Sequence, residues 1–352
     1  MRNDKLTQAN ISHFINILIY FLTCVVLFKT LRIVLNKNNV LIPFLVVVLF
    51  VIHPLHTEPV NNLKSRDELL MFLFVLLFLY QMIRFCLGGN FIRIIVAILF
   101  FLLARFSKEN AIVIIAILPV LLYYLKIDFK KILLSFGVSL LSIGLYMFIK
   151  RNLIEIPGVR EYEFFENPLY FGSSILDRLS IGFYCSWFYL KMLIYPKYLS
   201  FYYGYNQIPM ANFSFWQVWA SVLFYLPVGA YGVYLFIKRK LLGLGLVLWF
   251  GVMLGVINVF FPIVGIVADR FTYIFSLGFC IVLAWILFKV FKVPTEKVGN
   301  NIRISLPFLI AFFFVLIIYS TRVVVRNNDW HDHLSLYDND INTLNNPLKH
   351  TP

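Results

Sequence analysis

Apolar runs that recur with only short polar connections between them constrain this chain more than any other feature. About ten such runs can be read, near residues 11–35, 40–52, 69–85, 91–106, 111–125, 132–149, 215–237, 241–261, 271–291 and 304–325. A helix needs about 20 apolar residues to cross a hydrocarbon core of ~30 Å. The pattern therefore predicts an all-α polytopic membrane protein with about ten transmembrane helices. An eleventh run, residues 179–195, is interrupted by Lys191 and reads as an interfacial or re-entrant helix.

Composition closes off the soluble alternatives. With 61% apolar and 14% charged residues, a globule of this length would lack the polar surface to stay in water. The formal charge of +14 raises the question of nucleic acid, but the basic residues do not collect on a soluble domain, so the expected partner is the bilayer. Cys24, Cys86, Cys185 and Cys280 lie in or beside apolar runs without CxxC spacing. They read as buried small hydrophobes, with neither a zinc site nor a disulfide framework indicated. No cleavable signal peptide is visible at the N-terminus.

Lysine and arginine prefer cytoplasmic loops. If residues 179–195 do not cross, fifteen of the 31 basic residues fall on one side with only Asp128 and Glu296, leaving sixteen basic and fifteen acidic residues opposite. So sharp a split puts both termini and every polar constellation on the outer face. The expected organisation is a membrane domain over residues 1–325, with a long outer loop at 150–178 and an aromatic outer segment at 196–214, followed by an outer tail at 326–352.

The densest polar island is HPLHTEPVNNLKSRDELL, residues 53–70. Charges beside lipid are expensive and mark candidate sites. His53, His56 and Glu58 have a spacing that could seat a divalent cation, although no fourth ligand is in sight. The plainer reading is that Pro54 ends the preceding helix. Ser65 and Glu68 fit a capping box, while the fork of Arg66 suits a phosphate. Lys108 and Glu109 follow Arg105 at the end of a span, where snorkelling and surface pairing are the default. Asp269 and Arg270 open another span, where an N-cap competes with a second phosphate-binding fork. Tyr198, Phe201, Tyr202, Tyr203, Tyr205, Phe213, Phe215 and Trp216 read as an interfacial aromatic belt or a sugar-stacking platform. In the tail, Leu334, Tyr337, Ile341 and Leu344 recur at helical spacing and form a stripe that needs a partner to cover it.

Several of these segments carry a resemblance. HPLHTEPV followed by SRDELL resembles the HPxHTExV…GRxxLL signature of the transmembrane and tetratricopeptide-repeat O-mannosyltransferases, of the glycosyltransferase-C superfamily. SHFINIL from Ser12 resembles the opening of that family's second span, ENP from Glu166 with DRL from Asp177 resembles its ENP…RL, and LIYPKYLSFYY from Leu193 resembles its LLxPxxLSxDY. ADRFTYIFSLGF from Ala268 resembles AERxxYxPSxGF, with Asp269 for glutamate and Phe275 for proline. Residues 330–347 resemble the family's link into its repeats, and no 34-residue repeat follows. On this register the family's first span and first outer loop, with its acidic catalytic residue, would lie upstream of Met1.

The resemblance implies a glycosyltransferase-C-like bundle that moves a hexose, expected to be mannose, from a polyprenyl-phosphate donor to a hydroxyl on a protein or glycan. It implies donor-site roles for His53, His56, Glu58, Arg66, Lys108, Glu109, Asp269, Arg270 and Tyr273, with Glu58 the one catalytic candidate. No metal ligand is assigned; a divalent cofactor is left open. The rival classes are a lipid-linked glycan flippase or polymerase, which should carry charges within several spans, and a non-catalytic assembly subunit. A bacterial cytoplasmic membrane is expected ahead of the endoplasmic reticulum.

Overall fold

The structure is a computed structural model that describes residues 2–153, 163–197, 199–201, 203, 207–296 and 304–343, without the side chains of residues 2–9, 333 and 343. Tyr198, Tyr202, Tyr205 and Leu344, all named above, lie outside the described residues. The described chain is helical: α1 Arg2–Val34, α2 Leu41–Val51, α3 Thr57–Asn61, α4 Arg66–Cys86, α5 Ile92–Ser107, α6 Ile114–Tyr124, α7 Phe129–Leu153, α8 Ile175–Ile194, α9 Trp216–Ile237, α10 Leu241–Met253, α11 Thr272–Val290, α12 Leu306–Asp329 and α13 His333–Thr343. Among the described residues the one β-type pairing is an isolated bridge between Asn38 and Glu296.

Each of the ten apolar runs contains a helix. Among the described residues six helical segments are long and apolar enough to cross a membrane, and α2 with Pro54–Asn61 makes a seventh if the broken pair is one span. Their outward flanks are apolar, as at Phe14, Phe21, Leu141, Phe148, Leu223, Phe314 and Ile317. Such surface suits lipid and not water. The segment Glu109–Tyr124 and α10 are apolar but shorter. The α8 helix covers the ambiguous run and carries Asp177, Arg178 and Lys191.

Two compact units emerge. The first comprises Met1–Val47, Pro59–Val159 and Pro294–Ile302. Within it α4 packs on α1 and α5, and α7 on α5 and α6. Buried Ser135, Ser139 and Ser142 on α7 donate to their own helix carbonyls one turn back, which satisfies the hydroxyls in an apolar setting.

The second unit comprises Val48–Glu58, Arg160–Val293 and Arg303–Pro352. Here α9, α10 and α11 pack in series. At Gly278 an added Cβ would fall 2.2 Å from the Trp249 nitrogen, so only glycine permits this approach of α11 to α10.

Four helices close alike at their C-terminal ends. After α4, α6, α9 and α11, the residues Gly88, Lys126, Arg239 and Lys292 take positive φ. The next N–H reaches five residues back in each case, from Gly89 to Arg84, Ile127 to Leu122, Lys240 to Leu235 and Val293 to Phe288. This is the Schellman closure. Three of the four positions carry a basic residue where glycine would be free of strain.

Three local expectations need correction. The run at 241–261 is helical only to Met253. Beyond it, buried Asn258 at φ 62° holds an irregular loop, donating to the Ile266 carbonyl at 2.9 Å and accepting from the Ile263 N–H at 3.0 Å. Irregular backbone beside lipid needs such internal partners, and aliphatic side chains cannot supply them.

The capping box is also elsewhere. Ser65 makes no side-chain cap bond, because the Glu68 N–H it would accept goes to Asp67 Oδ1 at 2.8 Å, while the Glu68 side chain pairs with Lys108. A reciprocal box does form at the start of α8 between Ser174 and Asp177.

In the tail, the stripe of Leu334, Tyr337 and Ile341 faces outward. Leu336 and Asp340, one turn apart, turn inward instead, because the Asp340 carboxylate accepts the Phe201 N–H at 3.1 and 3.0 Å. A charge-assisted bond to backbone outweighs the burial of one more aliphatic side chain.

Candidate functional site

The chemistry in the second unit begins where a helix fails. Pro54 has no N–H and restricts the residue before it, so α2 stops at Val51 and His53 takes extended dihedrals ahead of the turn Pro54–His56. The break points both imidazoles inward. His53 Nδ1 accepts the Leu55 N–H at 3.4 Å and its Nε2 lies 3.2 Å from the Leu193 carbonyl; the tautomer assigned by this network has the proton on Nε2. Tyr319 donates to the same carbonyl at 2.9 Å. One of the carbonyls that α8 leaves without an intrahelical partner is thereby satisfied twice. His56 Nε2 is 2.9 Å from Ser276 Oγ, and its ring meets Tyr273 edge-on at 5.1 Å.

Glu58 follows one turn later and is fully buried. Its Oε1 takes Arg270 Nη1 at 2.7 Å and its Oε2 takes the Arg270 N–H at 2.8 Å. Both carboxylate oxygens are thus committed to one residue. Asp269, one position earlier, is buried as well. Its Oδ1 accepts from Tyr203 Oη at 2.8 Å, while Oδ2 is buried without a hydrogen-bond partner. It is not the N-cap of this turn, a position held by Ala268. Burial, and then the adjacent Asp269 charge, hold the Tyr203 phenol well above its ordinary pKa, so Tyr203 acts here as a donor. Tyr203 belongs to this network and not to a surface belt, whereas Trp216 is exposed as a belt residue would be.

The ENP segment fixes the approach to Asp269. Asn167 donates to Asn258 Oδ1 at 2.9 Å and to the Ile263 carbonyl at 2.8 Å, bracing the loop that leads into Ala268. Gly182 on α8 admits the same loop: a Cβ there would meet Val259 at 2.3 Å.

The remaining expected residues sit in the first unit. Arg66 spends its fork internally, on Asn16 Oδ1 and the Ser12 carbonyl, both at 2.8 Å. Asn16 donates in turn to the Val60 carbonyl at 3.1 Å, so the SHFINIL and SRDELL segments hold one another. Lys108 pairs with Glu68 at 2.6 Å and Asp67 at 3.2 Å. Glu109 pairs with Lys150 at 2.6 Å, and its carbonyl accepts from Arg105, whose guanidinium lies over the Tyr146 ring at 4.6 Å.

His53, His56, Glu58, Asp269, Arg270 and Tyr273 are therefore brought together, and Arg66, Lys108 and Glu109 form separate contacts in their own unit. Among the described residues no group of three or more His, Cys, Asp or Glu is arranged to hold a metal ion. The imidazoles that might have ligated one are directed at Leu193 and Ser276. Sequence reasoning missed Arg326 and Asp340, which look like solvated end residues in the sequence but are buried.

An apolar cleft of about 610 Å³ lies in the same unit, lined by Leu190, Trp249, Phe279, Ile286, Ile318 and Tyr319 among others. Two of these rings, Phe279 and Tyr319, also pack on His53, at 5.9 and 5.0 Å. Polar cluster and cleft thus share a wall.

The resemblance read from the motifs is borne out by comparison with known proteins. The chain is 23% identical to the mouse protein O-mannosyl-transferase TMTC3 across 92% of its own length and 37% of that protein's. It is 27% identical to mouse TMTC4 across 83% of its length and 44% of the relative's, and 24% identical to the Caenorhabditis elegans protein O-mannosyl-transferase F38B6.6 across 92% and 44%. The chain spans about two-fifths of the length of these relatives. All three come from animals, which lends nothing to the expectation of a bacterial membrane. No protein-family model and no solved structure matches the chain.

Proposed function

We propose that this chain carries the donor site of a membrane mannosyltransferase, which moves a hexose from a polyprenyl-phosphate to a hydroxyl of a protein acceptor on the extracytoplasmic face. The observation that carries the reading is the Asp269 carboxylate, buried beside the Glu58–Arg270 pair with Oδ2 unpartnered. The relatives are protein O-mannosyl-transferases by name, which supports the sugar and the acceptor class, and the distribution of basic residues supports the face.

Transfer requires the acceptor oxygen to bond to the anomeric carbon as the bond from that carbon to the phosphate oxygen breaks. The electron pair stays with the phosphate, and the hydroxyl proton must go to a base. Of the carboxylates in the cluster, Glu58 is fully engaged by Arg270, which makes it a positioning residue. Asp269 Oδ2 has the free lone pairs that orienting or accepting that proton needs. Tyr203, bound to the other oxygen, fixes its direction.

The test is transfer of labelled mannose from a polyprenyl-phosphate donor to a peptide by the chain in lipid nanodiscs. Asp269→Asn keeps the Tyr203 contact and should lower kcat about 10²- to 10⁴-fold while donor binding persists. Unchanged kcat in that variant would remove Asp269 from the chemistry. The face is tested separately with an impermeant maleimide. Cysteines at Asn61 and Asn327 should label in intact cells and those at Lys130 and Arg239 should not; the reverse pattern overturns the orientation.

A further inference from the structure

Arg326, near the end of α12, is fully buried. Its Nη1 is used by Asp329 Oδ2 at 3.1 Å, but Nε and Nη2 are buried with no hydrogen-bond partner. Four residues on, Trp330 places its ring 5.8 Å from the guanidinium, and its Nε1 is likewise unpartnered. Desolvating a guanidinium while leaving two donors unused is costly. Arg270, the more obvious phosphate ligand, has no such deficit, because it is bound to Glu58 through both side chain and backbone.

The helix adds direction. Tyr319, which lines the apolar cleft, precedes Arg326 by seven residues, so the two share one face of α12 about 10 Å apart. An anionic head on Arg326 would leave an attached chain running past Tyr319 toward the cleft.

We propose that Arg326 and Trp330 form the seat for the phosphoryl oxyanion of an amphiphile, with Nε and Nη2 as a two-pronged donor and the cleft taking the hydrocarbon chain. This rests on the donor-site reading above and changes which arginine receives the phosphate. The alternative role is structural: the Arg326 charge also acts on Glu58 and Asp269, and a guanidinium kept only to balance those carboxylates would bind no ligand.

The experiment measures binding to the full chain in nanodiscs by tryptophan emission and by thermal shift. Its probes are a ten-carbon prenyl monophosphate, the matching prenol and inorganic phosphate. The prenyl phosphate should bind best, with the other two weaker by about tenfold or more, since each lacks one half of the recognition. Arg326→Lys keeps the charge but loses the fork, and should weaken the prenyl phosphate by about tenfold. Trp330→Phe should diminish the emission change, with Trp249 in the cleft retaining part of it, and should weaken prenyl-phosphate binding by thermal shift, which supplies the decision should the Arg326 variant fail to fold.

Prenyl-phosphate affinity unchanged from the parent chain in Arg326→Lys and Arg326→Met overturns the proposal, as does prenol binding as tightly as its phosphate. Inorganic phosphate binding as tightly as prenyl phosphate removes the amphiphile and overturns the stated ligand class. If Arg326 governs prenyl-phosphate binding but no mannose is transferred, the seat stands and the transferase reading falls. Transfer with an unchanged donor KM in Arg326→Lys leaves the transferase reading intact and removes the seat.

Discussion

The Glu58–Arg270 and Glu109–Lys150 pairs are almost equal in length, 2.7 and 2.6 Å, yet they live in different media. Glu58 is 1% exposed and Arg270 27%; Glu109 is 68% exposed and Lys150 35%. Separation cannot distinguish them. What differs is the cost of stranding a partner once the other is removed, because an unpaired charge on the surface is rehydrated and an unpaired charge in the interior is not. The buried pair therefore constrains the positions of Ala268, Asp269 and Arg270, whereas the surface pair only decorates its unit.

The largest expected effect breaks the buried pair. Arg270→Ala, which strands the buried Glu58 carboxylate, should cost about 3–5 kcal/mol, read as a fall in the midpoint of thermal unfolding in detergent. A loss comparable to that of a surface variant would erase the distinction. Next comes Lys108, 22% exposed, which divides its charge between Glu68, 4% exposed, and Asp67, 42% exposed. Lys108→Ala should cost about 1–3 kcal/mol through the stranded Glu68. Lys150→Ala should cost about 0.2–1 kcal/mol, and that difference should vanish at 1 M salt; persistence in salt would mean the pair is shielded.

The smallest effect is at the tail. Asp332 Oδ1 accepts the Ser335 N–H at 2.8 Å, and this bond holds the Asp332 carboxyl below its ordinary pKa. A depressed folded pKa gives stability that is present above the unfolded carboxylate value and lost as pH falls through the folded one. The protection factor of the Ser335 amide, its exchange rate relative to the intrinsic rate at the same pH, should therefore fall on acidification through that window, and Asp332→Asn should flatten the profile.

These comparisons also mark how far the sequence could be read. HPLHTE and ADRF could be read as candidate segments that the structure then brings together, but not that Glu58 and Arg270 neutralise each other and leave Asp269 as the carboxylate with an open oxygen. That depends on which of two adjacent acidic and basic groups reaches a residue 212 positions away. Arg66 looked like a phosphate fork because a guanidinium beside a membrane is written the same way whether it meets a ligand or, as here, Asn16. Arg326 was passed over for the converse reason: an arginine at the end of an apolar helix ordinarily snorkels, and no local pattern announces that the tertiary fold will bury it.

The sequence by itself determined the helical, membrane-crossing class, since uncharged runs near the length of a bilayer core admit few other backbones. It also determined the break at Pro54, which is a covalent property of the ring. Only the tertiary structure decided which charges are desolvated and which hydrogen-bond groups remain unused. Those quantities depend on neighbours distant along the chain, and periodicity carries no information about them.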